Sequence, residues 1–339
     1  MSIRLKNWYV NFISKGKRNL FEELLYLFLV LLSHIFSLGV AIRNLAYDKN
    51  IFFSYRSRSY VISIGNLSWS GSGKTPLAIL LNEKLKEKHS TAILRRGYGD
   101  DEMKLLEKYS RNVFSNKNRV ALVKDNEAKF GLFILDDGFQ HRRLRRDIDI
   151  VIMGQREFKS KHRLIPAYFF REPLASLKRA DFLILNYYKD LNNPQEIKKR
   201  LLKVNPKLAI FEANYRLKGF FDFSGDQYNC DYFKNKKVAA MAGIGYPQGF
   251  FSQLKDANIY PAQEIIYPDH YKLDKNEFDK LQKSLISAGI SDLIITAKDR
   301  YHIPSVARKI KIFITEVELV IDQEDLFIEQ ILNRVKEVK

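Results

Sequence analysis

From residue 60 onward, the apolar and polar positions repeat one pattern: a short apolar run, a break rich in glycine or charge, then helical spacing. YVISIG (Tyr60–Gly65) is β-branched and apolar and stops at a glycine, as a buried strand does. PLAILLNEKLKEK follows, with Leu77, Ile79, Leu80, Leu81 and Leu85 at helical intervals and charge gathering late. TAILRR, GLFILDD, DIDIVIM, ADFLILNYY and PKLAIFEANYRL read as further strands. Strands separated by helical or loop segments predict a mostly parallel sheet covered by helices. After an irregular stretch from Phe220 to Lys234, KKVAAMAGIGYPQGFFSQLKDANI again reads strand, glycine turn, helix. SDLIITAKD and KIKIFITEVELVI add strands, and EDLFIEQILNRVKEVK closes as a helix. The predicted class is α/β, with an N-terminal hydrophobic helix (1–45), a first domain (46–219), a linker (220–234) and a second, smaller α/β domain (235–339) that contributes to the catalytic cleft.

Near the N-terminus the pattern changes. From Leu24 to Ile42 the chain reads LLYLFLVLLSHIFSLGVAI, without Asp, Glu, Lys or Arg. A helix of that length covers about 28 Å, at the short end of what spans a bilayer. Ser33 and His34 in mid-run, and Glu22 and Glu23 at its start, weigh against spanning. No small-residue cleavage site follows, so a signal peptide is not expected. A helix buried in protein is the plainer alternative. The basic flank of Lys15, Lys17 and Arg18 favours an interfacial helix or a single anchor on an anionic membrane surface.

Charge extends this picture. The chain of 339 residues carries 57 basic and 39 acidic residues, a formal +18, and is therefore drawn to polyanions. Charge alone does not choose between nucleic acid, lipid and phosphorylated substrates. No recognised nucleic-acid module is present, so nucleic acid is not expected as a partner, and no obligate protein partner is evident. Cys230 is the single cysteine, which excludes a disulfide framework and an all-thiolate metal site.

The chemistry is concentrated in the breaks after strands. After YVISIG comes Ser68-Trp69-Ser70-Gly71-Ser72-Gly73-Lys74-Thr75, the P-loop pattern with Ser68 in place of the first glycine. Backbone N–H groups of such a loop, with the positive end of the next helix, cradle phosphate. Lys74 is placed to reach the β- and γ-phosphates of a nucleotide, and the Thr75 hydroxyl to hold Mg²⁺. A second strand ends in Asp136-Asp137, which puts carboxylates where that metal sits; an ordinary strand-end turn is the alternative. His141, Arg142, Arg143, Arg145 and Arg146 follow, either a solvated basic turn or counter-charges for a phosphate. For Arg171-Glu172-Pro173 the sequence offers no more than a structural Arg–Glu pair. Candidates for handling an acceptor proton are Asp100, Asp101 and Glu102, and Asp269-His270. A P-loop ATPase, or a kinase for a soluble sugar or nucleotide, fits these residues too.

Several blocks occur together and in order. They are Ser63-Ile64-Gly65-Asn66-Leu67 into Gly71–Pro76, Arg95-Arg96-Gly97-Tyr98-Gly99, Ile134–His141, Leu164-Ile165-Pro166-Ala167, Arg171-Glu172-Pro173, Ala242-Gly243-Ile244-Gly245, Pro268-Asp269-His270 and Lys298-Asp299. This succession resembles the tetraacyldisaccharide 4'-kinase family of lipid A synthesis and covers most of the chain after residue 60. The resemblance implies a P-loop NTPase-like kinase that uses ATP and Mg²⁺ at the cytoplasmic face of the inner membrane, attached peripherally or by a single anchor. Its substrate would be a tetraacylated glucosamine disaccharide 1-phosphate, phosphorylated on the 4'-hydroxyl. It implies that Asp101 and His270 are a catalytic pair beside Lys74, that residues 68–75 bind nucleotide, and that Thr75, Asp136 and Asp137 hold the metal.

Overall fold

The structure, a computed structural model, describes residues 3–69, 73–97, 100–158, 163–269, 271–305 and 308–337; side chains at 3–7, 10, 100, 101, 155, 156 and 337 lie outside that description. The chain forms two compact units, residues 1–214 with 321–339, and residues 215–320.

The first unit opens with α1 (Ile3–Ser14) and α2 (Leu20–Asp48). Asn19 starts α2 with a capping box: its side chain accepts from the N–H of Glu22, whose carboxylate accepts from the N–H of Asn19. Next come β1 (Tyr60–Gly65), α3 (Lys74–Leu85), β2 (Thr91–Arg95), α4 (Asp100–Tyr109), β3 (Val113–Ser115), α5 (Arg119–Asn126) and β4 (Leu132–Asp136). They are followed by β5 (Ile148–Met153), α6 (Gln155–Phe158), β6 (Phe182–Asn186), α7 (Pro194–Val204) and β7 (Ala209–Phe221). The sheet runs in the order β7-β6-β5-β1-β4-β2-β3, parallel throughout. Every residue of β2, β4, β5 and β6 is buried, which is why these runs lack polar alternation. The register pairs Ile64 of β1 with Asp136 of β4, so the glycine loop and the paired aspartates leave the sheet at the same edge. Gly65 ends β1 in contact with the backbone of Phe139; a Cβ there would stand 2.8 Å from the Phe139 nitrogen.

The α2 helix has two faces. Tyr26, Ser33, Val40 and Ala46 are buried against the unit, and the Ser33 hydroxyl donates to the carbonyl of Leu164 at 2.8 Å. On the other face Leu24, Leu27, Leu31, Ile35, Leu38, Ile42 and Leu45 are all more than half exposed. The helix is long and apolar enough to cross a membrane.

The second unit contains the far end of β7, β8 (Gln227–Tyr228), β9 (Val238–Ala242), α8 (Pro247–Asp256), β10 (Gln263–Ile266), α9 (Lys275–Ser287), β11 (Asp292–Ile295) and β12 (Lys311–Ile321). Its parallel strands are ordered β10-β9-β11-β12. The closing helix α10 (Glu324–Glu337) belongs to the first unit: Phe327 packs on Phe182 and Phe211, and Arg334 pairs with Asp181.

Candidate nucleotide site

The site grows from two strand ends. Beyond Gly65, the N–H of Trp69 donates to the carbonyl of Phe169 at 3.1 Å. The Ser68 hydroxyl donates to the buried Glu157 carboxylate at 2.6 Å, and the other Glu157 oxygen accepts from the N–H of Gly154 at 3.0 Å. The serine that stands for the usual glycine therefore anchors the loop through its side chain. Ser70, Gly71 and Ser72 lie outside the described residues. Gly73 takes up the chain again in the left-handed region, at φ 93°, and caps α3. Lys74 and Thr75 occupy the first turn of that helix, where a nucleotide-binding loop needs them.

The aspartates meet them from β4. Thr75 Oγ1 donates to Asp136 Oδ2 at 3.3 Å, and Lys74 Nζ stands 3.7 Å from Asp137 Oδ1. The two neighbouring carboxylates face different partners. Asp136 is buried, with Arg95 Nε 3.2 Å from Oδ2, while Oδ1 has no hydrogen-bond partner among the described residues. Burial pushes its pKa up to about 6 against the pull of Arg95. Burial also opposes ionisation of Asp137, but Lys74 and Arg171 outweigh it and hold that carboxyl below its ordinary range. Arg171 binds Asp137 with two parallel bonds of 3.1 Å, and its guanidinium also donates to the Ser68 carbonyl at 2.9 Å and to Asn66 Oδ1 at 3.1 Å. Arg119 supports the turn from below, donating from one nitrogen to the carbonyls of Asp136 (3.1 Å) and Asp137 (3.0 Å). Asp137 itself has φ 56°, so this clamp holds a conformation that a non-glycine residue seldom adopts.

Lys74, Thr75, Asp136 and Asp137 are thus brought together, with Ser68 and Trp69 at the loop's entry. Asp100 and Asp101 open α4, with their side chains outside the description; the next residue, Glu102, pairs with Arg95. Arg95 thereby joins the start of α4 to Asp136. His270 also lies outside the described residues. Before it, Asp269 accepts from Lys298 Nζ at 3.0 Å, and Asp299 accepts from the N–H of Gly243 at 3.0 Å.

The basic run after β4 turns elsewhere. Arg142 donates to Asp48 and the Asn44 carbonyl at the end of α2, and Arg146 to Asp149 in β5. His141 is half-buried, with Nε2 unpartnered among the described residues; burial, then Arg119 and Arg146, lower its pKa to about 3. Arg171 and Glu172 do not work as one structural pair. Arg171 serves the aspartate, whereas Glu172, fully buried, accepts from Arg179 (2.8 Å), Arg43 (3.1 Å) and Asn44 (3.0 Å). Sequence reasoning missed Arg119 and Glu157, and read Arg171 only as a partner of Glu172, because their true partners are distant in the chain. The only available signal was an arginine or glutamate beside an otherwise apolar run.

The family profile described as "Tetraacyldisaccharide-1-P 4'-kinase" matches residues 25–109 and 99–336. A tetraacyldisaccharide 4'-kinase of Halothermothrix orenii is 29% identical, covering 88% of this chain and 88% of the relative. One from Chlorobium limicola is 32% identical, covering 78% of this chain and 83% of the relative. The crystal structure of the "apo" form of LpxK from Aquifex aeolicus in complex with ATP superposes with a TM-score of 0.68 at 25% identity, covering 92% of this chain and 99% of the other. With a parallel sheet, a glycine-rich loop leading into α3 and paired aspartates at the same edge, the chain belongs to the tetraacyldisaccharide-1-P 4'-kinase family.

Proposed function

We infer that this chain transfers the γ-phosphate of ATP to the 4'-hydroxyl of tetraacyldisaccharide 1-phosphate. The observation that carries the reading is the convergence of Lys74 and Thr75 from α3 on Asp136 and Asp137 from β4. Residues 68–75 would bind the nucleotide phosphates, with Lys74 neutralising charge on the transferring group.

The donor set fits a magnesium ion: a hydroxyl on Thr75 and a buried carboxylate oxygen on Asp136 without a hydrogen-bond partner among the described residues. Bound there, Mg²⁺ would neutralise the β- and γ-phosphate oxygens as charge shifts toward the leaving group. Asp137, whose oxygens are held by Arg171 and Lys74, would stand beside Thr75 and Asp136 among the residues that hold the metal. For the acceptor we propose Asp101 and His270, the carboxylate holding the imidazole in the tautomer that orients the 4'-hydroxyl and takes its proton. Transfer of labelled phosphate from Mg-ATP to tetraacyldisaccharide 1-phosphate in mixed micelles tests these roles. Loss of lipid product with Lys74→Ala, and a fall of about a hundredfold or more with Asp101→Ala and His270→Ala, is expected. Loss with Asp100→Ala and not Asp101→Ala would move the carboxylate by one residue. A folded, ATP-binding protein that yields no lipid product would defeat the substrate.

We further propose that α2 lies along a membrane surface, at the cytoplasmic face of the inner membrane where ATP is supplied. Its exposed apolar face supports this, as does the anchoring of its opposite face at Ser33, Arg43 and Asn44, which favours the interface over an isolated span.

A further inference from the structure

The arginines after β4 line a cavity of about 520 Å³ in the first unit. One wall is the end of α2 and the turn after it, with Tyr47, Asp48, Phe52 and Phe53; the other holds Arg142, Arg145, Arg146, Asp149 and Arg179. Three of the arginines are matched by carboxylates: Arg142 with Asp48 (2.6 Å), Arg146 with Asp149 (2.8 Å) and Arg179 with Glu172 (2.8 Å). Arg145 is exposed and meets no carboxylate among the described residues. Its main chain is nevertheless fixed, because its N–H donates to the Tyr55 carbonyl at 2.8 Å. With Arg142, Arg146 and Arg179 each matched by a carboxylate, the charge left over in the cavity is that of Arg145, and its guanidinium is the natural ligand for an anion.

The rim indicates which anion. Ile51, Phe52 and Phe53 are 70%, 47% and 81% exposed, and they continue the apolar stripe that ends on α2 at Leu45. The N–H groups of Ile51 and Phe52 both donate to the Ala46 carbonyl, which fixes this turn to the helix end. A free anion in water gains nothing from three exposed apolar side chains beside its site. A phosphate carried on acyl chains does. The cavity is also set apart from the chemistry: Arg146 and Asp149 stand where β5 begins, whereas the phosphate loop and Asp136 stand where β1 and β4 end.

We propose that this cavity binds the headgroup phosphate of an anionic phospholipid, with Arg145 as its main ligand and Ile51–Phe53 seated among the acyl chains. The proposal rests on the interfacial reading of α2. Flotation of the full chain with phosphatidylcholine vesicles, with and without phosphatidylglycerol, tests it. The wild type is expected to favour the anionic vesicles, and Arg145→Gln to lose about fivefold of that preference, roughly what one basic residue near such a surface contributes. Arg111→Gln, which removes an exposed arginine between α4 and β3, is expected to keep it. Phe53→Ser is expected to weaken binding to both vesicle types. Equal losses from Arg145→Gln and Arg111→Gln would reduce the effect to net charge and overturn the site. Firm wild-type binding to both vesicle types without preference would also overturn it, while leaving the interfacial helix standing. Binding to neither would remove both. A preference that appears only when tetraacyldisaccharide 1-phosphate is in the vesicle would assign Arg145 to the substrate and defeat the proposal.

Discussion

Arg171 holds Asp137, Ser68 and Asn66 with one planar guanidinium, so it fixes the distance between the start of the glycine-rich loop and the second aspartate. A lysine there keeps the charge but not the fork. Arg171→Lys is expected to lower kcat/KM by about tenfold to a hundredfold, the worth of a lost charged hydrogen-bond pair, with the melting temperature little changed. Steady-state kinetics at saturating lipid, beside a thermal melt, separates the two effects. His141 makes a different prediction. Its folded pKa, about 3, lies below the ordinary 6.5, so the unfolded chain binds the extra proton between those values. Its contribution to stability is therefore complete above about pH 6.5 and declines as the pH falls. His141→Gln, neutral throughout, is expected to flatten that part of the stability curve, measured by denaturant unfolding from pH 7 to pH 4. At this scale the convergence of Lys74 and Thr75 on Asp136 and Asp137 was legible. The glycine-rich loop and the Asp-Asp strand end are local patterns, with reasons contained in a few consecutive residues. Arg171, Arg119 and Glu157 were not legible, because a guanidinium or carboxylate names no partner until the chain has folded.

At the scale of elements, α2 and the segment 163–172 depend on each other. Glu172 receives Arg43 and Asn44 from the helix and Arg179 from its own side of the fold. Removing one partner from a buried ionic cluster leaves charge without compensation, a loss of about 3–5 kcal/mol. Glu172→Ala is therefore expected to lower stability by about that amount and to expose α2 to proteolysis, read by unfolding and by limited digestion. Burial raises the Glu172 pKa, but Arg179, Ser176 and Arg43 outweigh it and hold it below the ordinary 4.5. The anchor is therefore complete above that value and weakens only as the pH falls further. The apolar run of α2 was plain in the sequence, while its two faces were not. Ser33, which weighs against spanning in a linear reading, proved to be a docking group with a hydrogen bond to Leu164.

At the scale of the molecule, the alternation of strands and helices was enough to give the α/β class and a smaller second unit, because the 3.6- and 2-residue periods are written along the chain. The closing helix was harder. EDLFIEQILNRVKEVK has an apolar face, but nothing in that face says which sheet it will cover; Phe327 and Arg334 fit Phe182 and Asp181 of the first unit. The chain thus leaves its first unit along β7 and re-enters it after β12. Excising residues 215–320 would leave α10 attached, and excising everything after 214 would strip Phe182 and Phe211 of their cover.

Residues 163–172 are shared by the apolar helices and the nucleotide loop: Tyr9 donates to the Pro166 carbonyl, Ser33 to that of Leu164, and Trp69 to that of Phe169. On the interfacial reading of α2, making this enzyme water-soluble is a task of surface redesign, and deletion is the wrong tool. Cutting the chain before Tyr60 would remove Arg43 and Asn44 from Glu172 and uncover Phe169, which packs on Phe12, Ile13 and Tyr26. Such a truncate is expected to lose ATP affinity in calorimetry. Changing Leu24, Leu31 and Leu38 to glutamine leaves the buried face intact and is expected to yield a detergent-free protein that still binds ATP.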